Sequence, residues 1–234
     1  MSNNKLPAQS SNKEVQEFLS KVASVPKKMA SGERGRVIFA MDATASRESS
    51  WDRASNLQGE MFQETASKGG LEIQLAYFRG FGEFSASSWA TKSENLLGLM
   101  TAVTCRAGET QIKKVLLHAV TEAKNQHVDA LIFIGDSIEE DIDSLGAVAG
   151  ELGLLGIPTF FFQEGEDKIA EFGFRQISKL TNGAYCRLDV NSAKILRELL
   201  RAVANYAVGG RLALEEMAKK EGGTILQITK QLLK

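Results

Sequence analysis

The sequence predicts an α/β fold: a Rossmann-like, doubly wound sheet of six strands, mostly parallel with an antiparallel edge strand, and helices on both faces. Two segments, VDALIFIGD and GIPTFFF, are apolar over a strand's length, which is typical of parallel strands buried on both faces. Amphipathic helical patterns alternate with strands, which indicates crossover helices. LEIQLAYFRG and EFSASSWAT each alternate polar and apolar residues around a Gly-Phe-Gly turn and predict a hairpin at the sheet edge.

In the first half of the chain, the predicted elements are a strand, a helix and the hairpin. The apolar run over 36–41 is the first strand, and it ends in the polar stretch MDATASRESSWD. A helix over about 50–68 follows and stops at two glycines. The hairpin then supplies the second and third strands, so the first three strands come from this half.

In the second half, helices separate the remaining strands. A short helix over about 93–104 and a clearly amphipathic helix over 111–125 precede the fourth strand. Another helix, over about 138–153, separates the fourth strand from the fifth. AYCRLD is the sixth strand, and the helix SAKILRELLRAVANYA follows it.

These elements divide the chain into one domain with two additions. Residues 1–34 are predicted to be a polar tail and a helix that docks on the domain, residues 35–208 the domain itself, and residues 209–234 a C-terminal helical extension. The extension either packs on the flank of the sheet, which we favour, or serves as a docking arm for a partner.

Composition excludes several classes of protein. The 234 residues carry 28 Lys and Arg against 29 Asp and Glu, so nucleic acid is not an expected partner. Cys105 and Cys186 lie far apart without metal-binding spacing, which argues against a disulfide framework and a zinc site. The sequence shows no secretory signal and no run near the roughly 20 apolar residues that cross a bilayer. We expect a cytoplasmic protein without membrane contact, and the oligomeric state stays open.

The candidate site lies where the first and fourth strands end. In open α/β sheets, ligands bind beyond the carboxyl ends of the strands where the strand order reverses, which for the order 3-2-1-4-5-6 is between strands 1 and 4. Asp42 ends strand 1 and Asp136 ends strand 4, so both carboxylates are expected to face one crevice. Thr110 precedes the helix that leads into strand 4, and its hydroxyl can reach the same crevice.

Hydroxyl side chains follow Asp42 at every second position. If this loop is extended, Asp42, Thr44 and Ser46 project to the same side. Oxygen donors with few carboxylates and no His or Cys suit a hard cation such as Mg²⁺, with Mn²⁺ or Ca²⁺ as substitutes. Because two carboxylates leave the ion electrophilic, an Asp or Glu of a partner can complete its coordination.

With these residues, the sequence resembles the von Willebrand factor A (VWA) domain family, whose metal-ion-dependent adhesion site (MIDAS) combines Asp-x-Ser/Thr-x-Ser with a distant Thr and a distant Asp. The matching positions here are Asp42, Thr44, Ser46, Thr110 and Asp136. Four segments occur in the family's order over roughly residues 36–207: FAMDATASR, AGETQIKKVLLHA, ALIFIGD and FRQISKLTNGAYCRLD.

The resemblance implies a Rossmann-like sheet with an antiparallel third strand at its edge. It implies a non-enzymatic, cation-dependent protein-binding module, for example in an intracellular assembly or a chaperone-linked complex. It also implies that Asp42, Ser46 and either Thr44 or Thr110 approach the ion, with one Asp acting through water.

The chain departs from the family at two positions that we expect to face the partner. Glu109 stands where family members often have Gly, and it could crowd the ion or add a ligand. Ser137 stands where Gly commonly follows the second Asp. The acidic run at 139–141 either repels acidic ligands or is the solvated first turn of a helix, and we favour the second interpretation.

An alternative class of function is a Mg²⁺-dependent phosphohydrolase or ATPase resembling the haloacid dehalogenase superfamily, with Asp42 as the phosphoryl nucleophile. Phosphatases of that type place an acid two residues after the nucleophile, where this chain has Thr44, although phospho-enzyme ATPases tolerate Thr there. The hairpin edge and LTNGAY favour the adhesion-type fold. A third possibility is a scaffold with a vestigial site.

Several other residues have a simpler structural explanation. His118 and His127 are expected to be partly buried or solvated side chains rather than members of a catalytic triad, and Trp51 and Trp89 to lie in the core or at its rim. The serines at 49–50 are expected to cap the helix that follows.

Overall fold

The structure is a computed structural model that describes residues 17–18, 20–21, 34–47, 70–188, 198 and 200–210. The strands are β1 (Gly35–Asp42), β2 (Leu71–Arg79), β3 (Glu83–Ala86), β4 (Ala130–Gly135), β5 (Thr159–Glu164) and β6 (Ala184–Leu188). The helices are α1 (Ser93–Thr101), α2 (Ile112–Asn125), α3 (Ile142–Leu154) and α4 (Lys168–Leu180), and residues 200–210 are also helical.

The six strands form one sheet in the order β3-β2-β1-β4-β5-β6, which confirms the predicted order. The β2–β3 pair is antiparallel, as predicted for the hairpin, and the other pairs are parallel. Asp42 lies opposite Phe78 on β2, and Met41 lies opposite Ile134 on β4. The carboxyl ends of β1, β2 and β4 therefore lie side by side.

Both faces of the sheet are covered, as predicted. On one face, apolar residues of α2, α3 and α4 pack against the strands. On the other face, α1, the helical residues 200–210 and Phe18 do so. Every residue of β1 and β4 is buried, so these strands have no solvent-facing side. Within the part of the chain that the structure describes, no helix is long and apolar enough to span a membrane.

Phe18 is the only N-terminal core residue within the described segments, and it lies against β5. Its ring centroid is 5.1 Å from that of Phe162 and 5.9 Å from that of Phe160. Phe18 belongs to the helix that the sequence predicts to dock on the domain. The helix predicted over 50–68, with Trp51 and its serine cap, and the segment 211–234 lie outside the described residues, so the division into three parts stays a prediction.

Two helix boundaries differ from the prediction. Helix α1 ends at Thr101 rather than near 104, because residues 103–111 leave it to cross the carboxyl edge of the sheet without regular structure. Helix α3 begins at Ile142 rather than 138, because the Asp141 carboxylate accepts a hydrogen bond from the Ser144 N–H (2.9 Å) and caps the helix there. The sequence patterns assign no separate helix between β5 and β6, where the structure has α4.

An aromatic cluster joins α4 to the sheet. The rings of Phe161 and Phe174 are stacked with centroids 4.7 Å apart, and Phe133 lies 5.2 Å from Phe161 and 5.6 Å from Phe174. All three are buried. Because these residues belong to β4, β5 and α4, their packing holds the helix against the central strands.

We predict that Phe174→Ala lowers the free energy of unfolding by about 3–5 kcal/mol, since it leaves a cavity among buried rings. Phe172→Ala is the matched control on the same helix, because Phe172 is 56% exposed and its truncation is expected to cost less than about 1 kcal/mol. Urea unfolding of both variants measures the difference. Equal losses would show that the cluster does not hold α4.

Candidate functional site

Asp42 is the last residue of β1 and is fully buried. Its Oδ1 accepts a hydrogen bond from the Thr44 N–H (2.7 Å), which turns the chain immediately after the strand. A short 3₁₀ helix, Ala45–Arg47, follows. The extended loop assumed from the sequence is therefore wrong, because a carboxylate two residues before an amide favours a turn.

The turn nevertheless brings the two hydroxyls together. The Thr44 Oγ1 and Ser46 Oγ atoms lie 3.2 Å apart, with Thr44 buried and Ser46 exposed. The three predicted side chains of this loop thus form a group of oxygens that runs from the core at Asp42 to the surface at Ser46.

Asp136 follows the last residue of β4 and is half-buried. Ser137 Oγ lies 3.4 Å from Asp136 Oδ1. The preceding residue, Gly135, lies beside the end of β1, since a Cβ built on it would lie 3.5 Å from Asp42 Cβ. The end of β1, which carries Asp42, and the end of β4, which precedes Asp136, are therefore neighbours at the same edge of the sheet.

Thr110 is buried in the loop before α2 and is bonded to the loop after β4. The Thr110 N–H donates to Glu139 Oε2 (2.8 Å), and the Glu139 N–H donates to Thr110 Oγ1 (2.9 Å). This pair of hydrogen bonds ties the loops of Thr110 and Asp136 to each other. The Thr110 hydroxyl oxygen has a second lone pair and its own hydrogen, so it retains capacity for another contact.

The acidic run after β4 does not form the first turn of its own helix, which corrects the favoured interpretation. The Glu140 carboxylate instead accepts hydrogen bonds from the N–H groups of Ile112 (2.6 Å) and Lys113 (2.9 Å), at the start of α2. Glu139 is bonded to Thr110, and only Asp141 caps α3. The Glu139 and Glu140 carboxylates thus satisfy backbone N–H groups at and just before the start of α2 and offset the positive end of its dipole.

The loop 103–111 is also fixed to the neighbouring strands. The Arg106 N–H donates to the Ala43 oxygen (3.0 Å), and the Glu109 N–H to the Gly80 oxygen (3.4 Å). The Glu109 side chain is exposed. Three loops, after β1, before α2 and after β4, thus contact one another at the carboxyl edge of the sheet.

The donor set fits a hard divalent cation by its chemistry. Asp42, Thr44, Ser46, Thr110 and Asp136 offer carboxylate and hydroxyl oxygens only. Among the described residues, no group of three or more His, Cys, Asp or Glu side chains is arranged to hold a metal. A cation here would depend on the hydroxyls and on water or an outside carboxylate to complete its coordination.

Both histidines and Trp89 have structural surroundings. His118 Nε2 lies 2.7 Å from Gln74 Oε1, and burial lowers the pKa of this half-buried imidazole. His127 is exposed. Trp89 is half-buried at the rim, where the Arg36 guanidinium stacks 3.8 Å from its ring centroid. These placements agree with their structural interpretation.

Comparison with known proteins identifies the fold. No protein-family model matches the chain, and no curated protein sequence matches it. Solved structures do match. The SpRpn10 VWA domain is 11% identical with a TM-score of 0.57, and the match covers 74% of this chain and 94% of that one. A von Willebrand factor type A protein from Catenulispora acidiphila is 12% identical with a TM-score of 0.59, and the match covers 76% of this chain and 43% of that one. A third is proximal thread matrix protein 1 of the mussel byssus with a zinc-occupied MIDAS motif. It is 13% identical with a TM-score of 0.59, and the match covers 74% of this chain and 46% of that one.

These similarities confirm the predicted VWA-like fold. The described residues form a six-stranded, mostly parallel sheet with β3 as its antiparallel edge strand and helices on both faces. At 11–13% identity, the likeness concerns the fold.

We predict that Glu140→Ala lowers the free energy of unfolding by about 1–2 kcal/mol, because it removes the cap from the start of α2. Glu140→Gln keeps one amide oxygen as an acceptor and should lose less. Glu166→Ala, at an exposed loop acid, is the control and should change stability by less than about 0.5 kcal/mol. Denaturant unfolding at pH 7 measures the series, and a loss for Glu140→Ala no larger than the control would contradict the capping role.

Proposed function

We propose that this chain is a divalent-cation-dependent protein-binding module whose cation, Mg²⁺ by preference, is held by Asp42, Thr44, Ser46, Thr110 and Asp136. The observation that carries the proposal is the turn after β1, where Asp42 accepts the Thr44 N–H and the Thr44 and Ser46 hydroxyls lie 3.2 Å apart. This turn stands beside the end of β4, where Asp136 follows Gly135.

Each residue has a role that follows from its burial. Asp42 is fully buried and supplies negative charge from beneath the site, whereas the exposed Ser46 supplies a neutral oxygen from the solvent side. Asp136 is half-buried and can act directly or through water. The Thr110 hydroxyl is positioned by the Glu139 N–H. The bound cation would supply a Lewis-acidic position for the carboxylate oxygen of a partner.

The partner is proposed to be a protein that offers an Asp or Glu to the cation, within an assembly or chaperone-linked complex. Glu109 is exposed and Ser137 half-buried beside the candidate ligands, so both are proposed to contact that partner. The similarity to a protein described with a zinc-occupied MIDAS motif supports the proposal of a divalent cation. Cys105 and Cys186 are not joined in a disulfide, which suits the reducing cytoplasm that we propose as the location.

We predict that the wild-type chain binds one Mn²⁺ at this edge and that Asp42→Asn weakens binding at least about tenfold, because the amide keeps an oxygen but loses the charge. Ser46→Ala should weaken binding less, since it removes one neutral ligand. Calorimetry and the relaxation of water protons by Mn²⁺ measure the affinities, with and without acetate as a stand-in for the partner's carboxylate. Millimolar Mg²⁺ should raise the melting temperature of the wild type.

Ser88→Ala is the matched control, because Ser88 is an exposed serine in the segment after β3 and is not a proposed ligand. Unchanged Mn²⁺ affinity in Asp42→Asn would place the cation elsewhere, and absence of binding by the wild type, with acetate present, would favour a scaffold with a vestigial site. Hydrolysis of p-nitrophenyl phosphate that Asp42→Asn abolishes would favour the phosphohydrolase instead.

A capture experiment tests the partner. The tagged wild type and Asp42→Asn are each incubated with extract of the native cell, with Mg²⁺ or with EDTA. We predict that a specific protein is retained only by the wild type and only with Mg²⁺, because the cation links the carboxylate of Asp42 to a carboxylate of the partner. A partner retained equally under all four conditions would contradict cation-dependent recognition.

A further inference from the structure

Phe81 is an exposed aromatic side chain at the tip of the β2–β3 hairpin. Its relative exposure is 82%, whereas Phe78 and Phe84 on the same hairpin are buried and half-buried. Single exposed apolar residues are common on protein surfaces, and exposure alone does not indicate a function. What distinguishes Phe81 is the way in which its turn is held.

The turn that carries Phe81 has a defined backbone. Gly80 and Gly82, on either side of it, have positive φ angles of 59° and 90°, which side chains other than glycine rarely adopt. At the base of the turn, the Arg79 guanidinium forms an ion pair with the Glu83 carboxylate, with Nε to Oε1 2.8 Å apart. The Arg79 Nη1 also donates to the Thr104 oxygen (2.7 Å).

The loop and first helical turn that follow Thr104 hold the hairpin from the other side. The packing is tight, since a Cβ on Gly108 would lie 2.0 Å from the Gly80 oxygen. Additional bonds to the hairpin backbone come from the Glu109 N–H, Gln111 Nε2 and Lys114 Nζ. Phe81 therefore projects from a braced turn, and little backbone entropy remains to be lost when a partner covers it.

The braced turn is attached to the candidate cation site. Gly108 and Glu109, which contact Gly80, directly precede Thr110. Asp42 lies opposite Phe78, and Phe81 follows Phe78 by three residues, the last two of which lie in the turn. Even with all three residues extended at about 3.3 Å each, and about 4.8 Å between strands, the Cα atoms of Asp42 and Phe81 are at most roughly 11 Å apart. An extended peptide spans that distance in about three or four residues.

The charges around the turn favour an acidic ligand slightly. Arg79, Arg106 and Lys114 stand against the acids Glu83 and Glu109, a balance of three positive charges to two negative. Glu83 is already paired, since its Oε2 lies 3.6 Å from Arg106 and its Oε1 2.7 Å from Arg79. The hairpin side of the site thus combines an apolar contact with basic side chains, which is complementary to a segment carrying a carboxylate and an apolar residue.

Among the described residues, the three other large apolar side chains that are more than half exposed, Leu154, Ile169 and Phe172, lack this combination. Ile169 and Phe172 lie in the first turns of α4, which follows β5, two strands away from β1. Leu154 is 92% exposed at the end of α3, and α3 runs back from the end of β4 to the start of β5. Leu154 is therefore at the opposite edge of the sheet and is suitable as a control.

The geometry points to Phe81 as a specificity-determining contact: the partner segment places a carboxylate on the cation and, about three or four residues away, an apolar side chain against Phe81. This inference rests on the proposed function and adds the chemistry of the partner. The cation recognises any accessible Asp or Glu, whereas the combination with Phe81 selects among them.

A phage-displayed library of random nine-residue peptides with a fixed Asp at one end is the probe. It is selected on the immobilised full chain with Mn²⁺ and eluted with EDTA. We expect enrichment of aromatic or large aliphatic residues at one position about three or four residues from the Asp. The enriched peptide, made synthetically, should bind Phe81→Ser at least about tenfold more weakly than the wild type, because burial of the ring is lost.

Two variants complete the test. Phe81→Leu keeps an apolar side chain and should bind within a few-fold of the wild type, and Leu154→Ser should bind as the wild type does. Mn²⁺ affinity, measured on Phe81→Ser, should stay unchanged, which separates loss of the apolar contact from damage to the cation site.

Each other outcome is decisive. Asp-containing peptides that elute with EDTA but show no apolar preference, or bind Phe81→Ser as they bind the wild type, would overturn the inference and leave the proposed function intact. Absence of any Mn²⁺-dependent enrichment would overturn both. Self-association of the wild type in sedimentation, lost in Phe81→Ser, would assign Phe81 to contact with a second copy and overturn the inference.

Discussion

Burial of the parallel strands on both faces is the constraint on which the rest of this molecule depends. With helices on both sides, β1 and β4 have no exposed face, and their backbone polar groups are satisfied within the sheet. Polar side chains needed for a ligand can therefore emerge only at the strand ends. Asp42 and Asp136 occupy those ends, so the chemistry of the chain is confined to loops while the sheet supplies their spacing.

The loops at that edge are stabilised mainly by one another. Besides the local bond between Asp42 and the Thr44 N–H, Thr110 and Glu139 exchange two hydrogen bonds, and the Arg106 N–H donates to the Ala43 oxygen. The Glu139 carboxylate accepts the Thr110 N–H and the Glu140 carboxylate accepts amides at the start of α2, so both brace the candidate ligands. This arrangement explains how an acidic run can stand next to a site proposed to bind an acidic partner.

Sequence patterns were sufficient for the sheet and insufficient for the loops. Hydrophobic periodicity reports which side of an element is buried, so the strands, the hairpin edge and the residues at the strand ends could be predicted, whereas the strand order came from the general rule for doubly wound sheets. The start of α3 could not, because Glu139, Glu140 and Asp141 are each acceptable at a helix N-terminus and only the position of α2 separates their roles. The turn at Thr44 was missed because the alternation of hydroxyl residues suggested an extended chain. The sequence pattern does not single out Phe81 as a contact residue, because that role is inferred from contacts that hold its turn and that only the structure shows.

The cap on α2 comes from a distant part of the chain, which bears on how the site loops form. Gln111, at the N-cap of α2, makes no side-chain cap bond, and the acceptor for the Ile112 N–H lies 28 residues further along the chain, on Glu140. The first turn of α2 therefore gains its cap only when the loop after β4 lies against it, a non-local contact that costs loop-closure entropy. The loops before α2 and after β4 should then form together, as one cooperative unit.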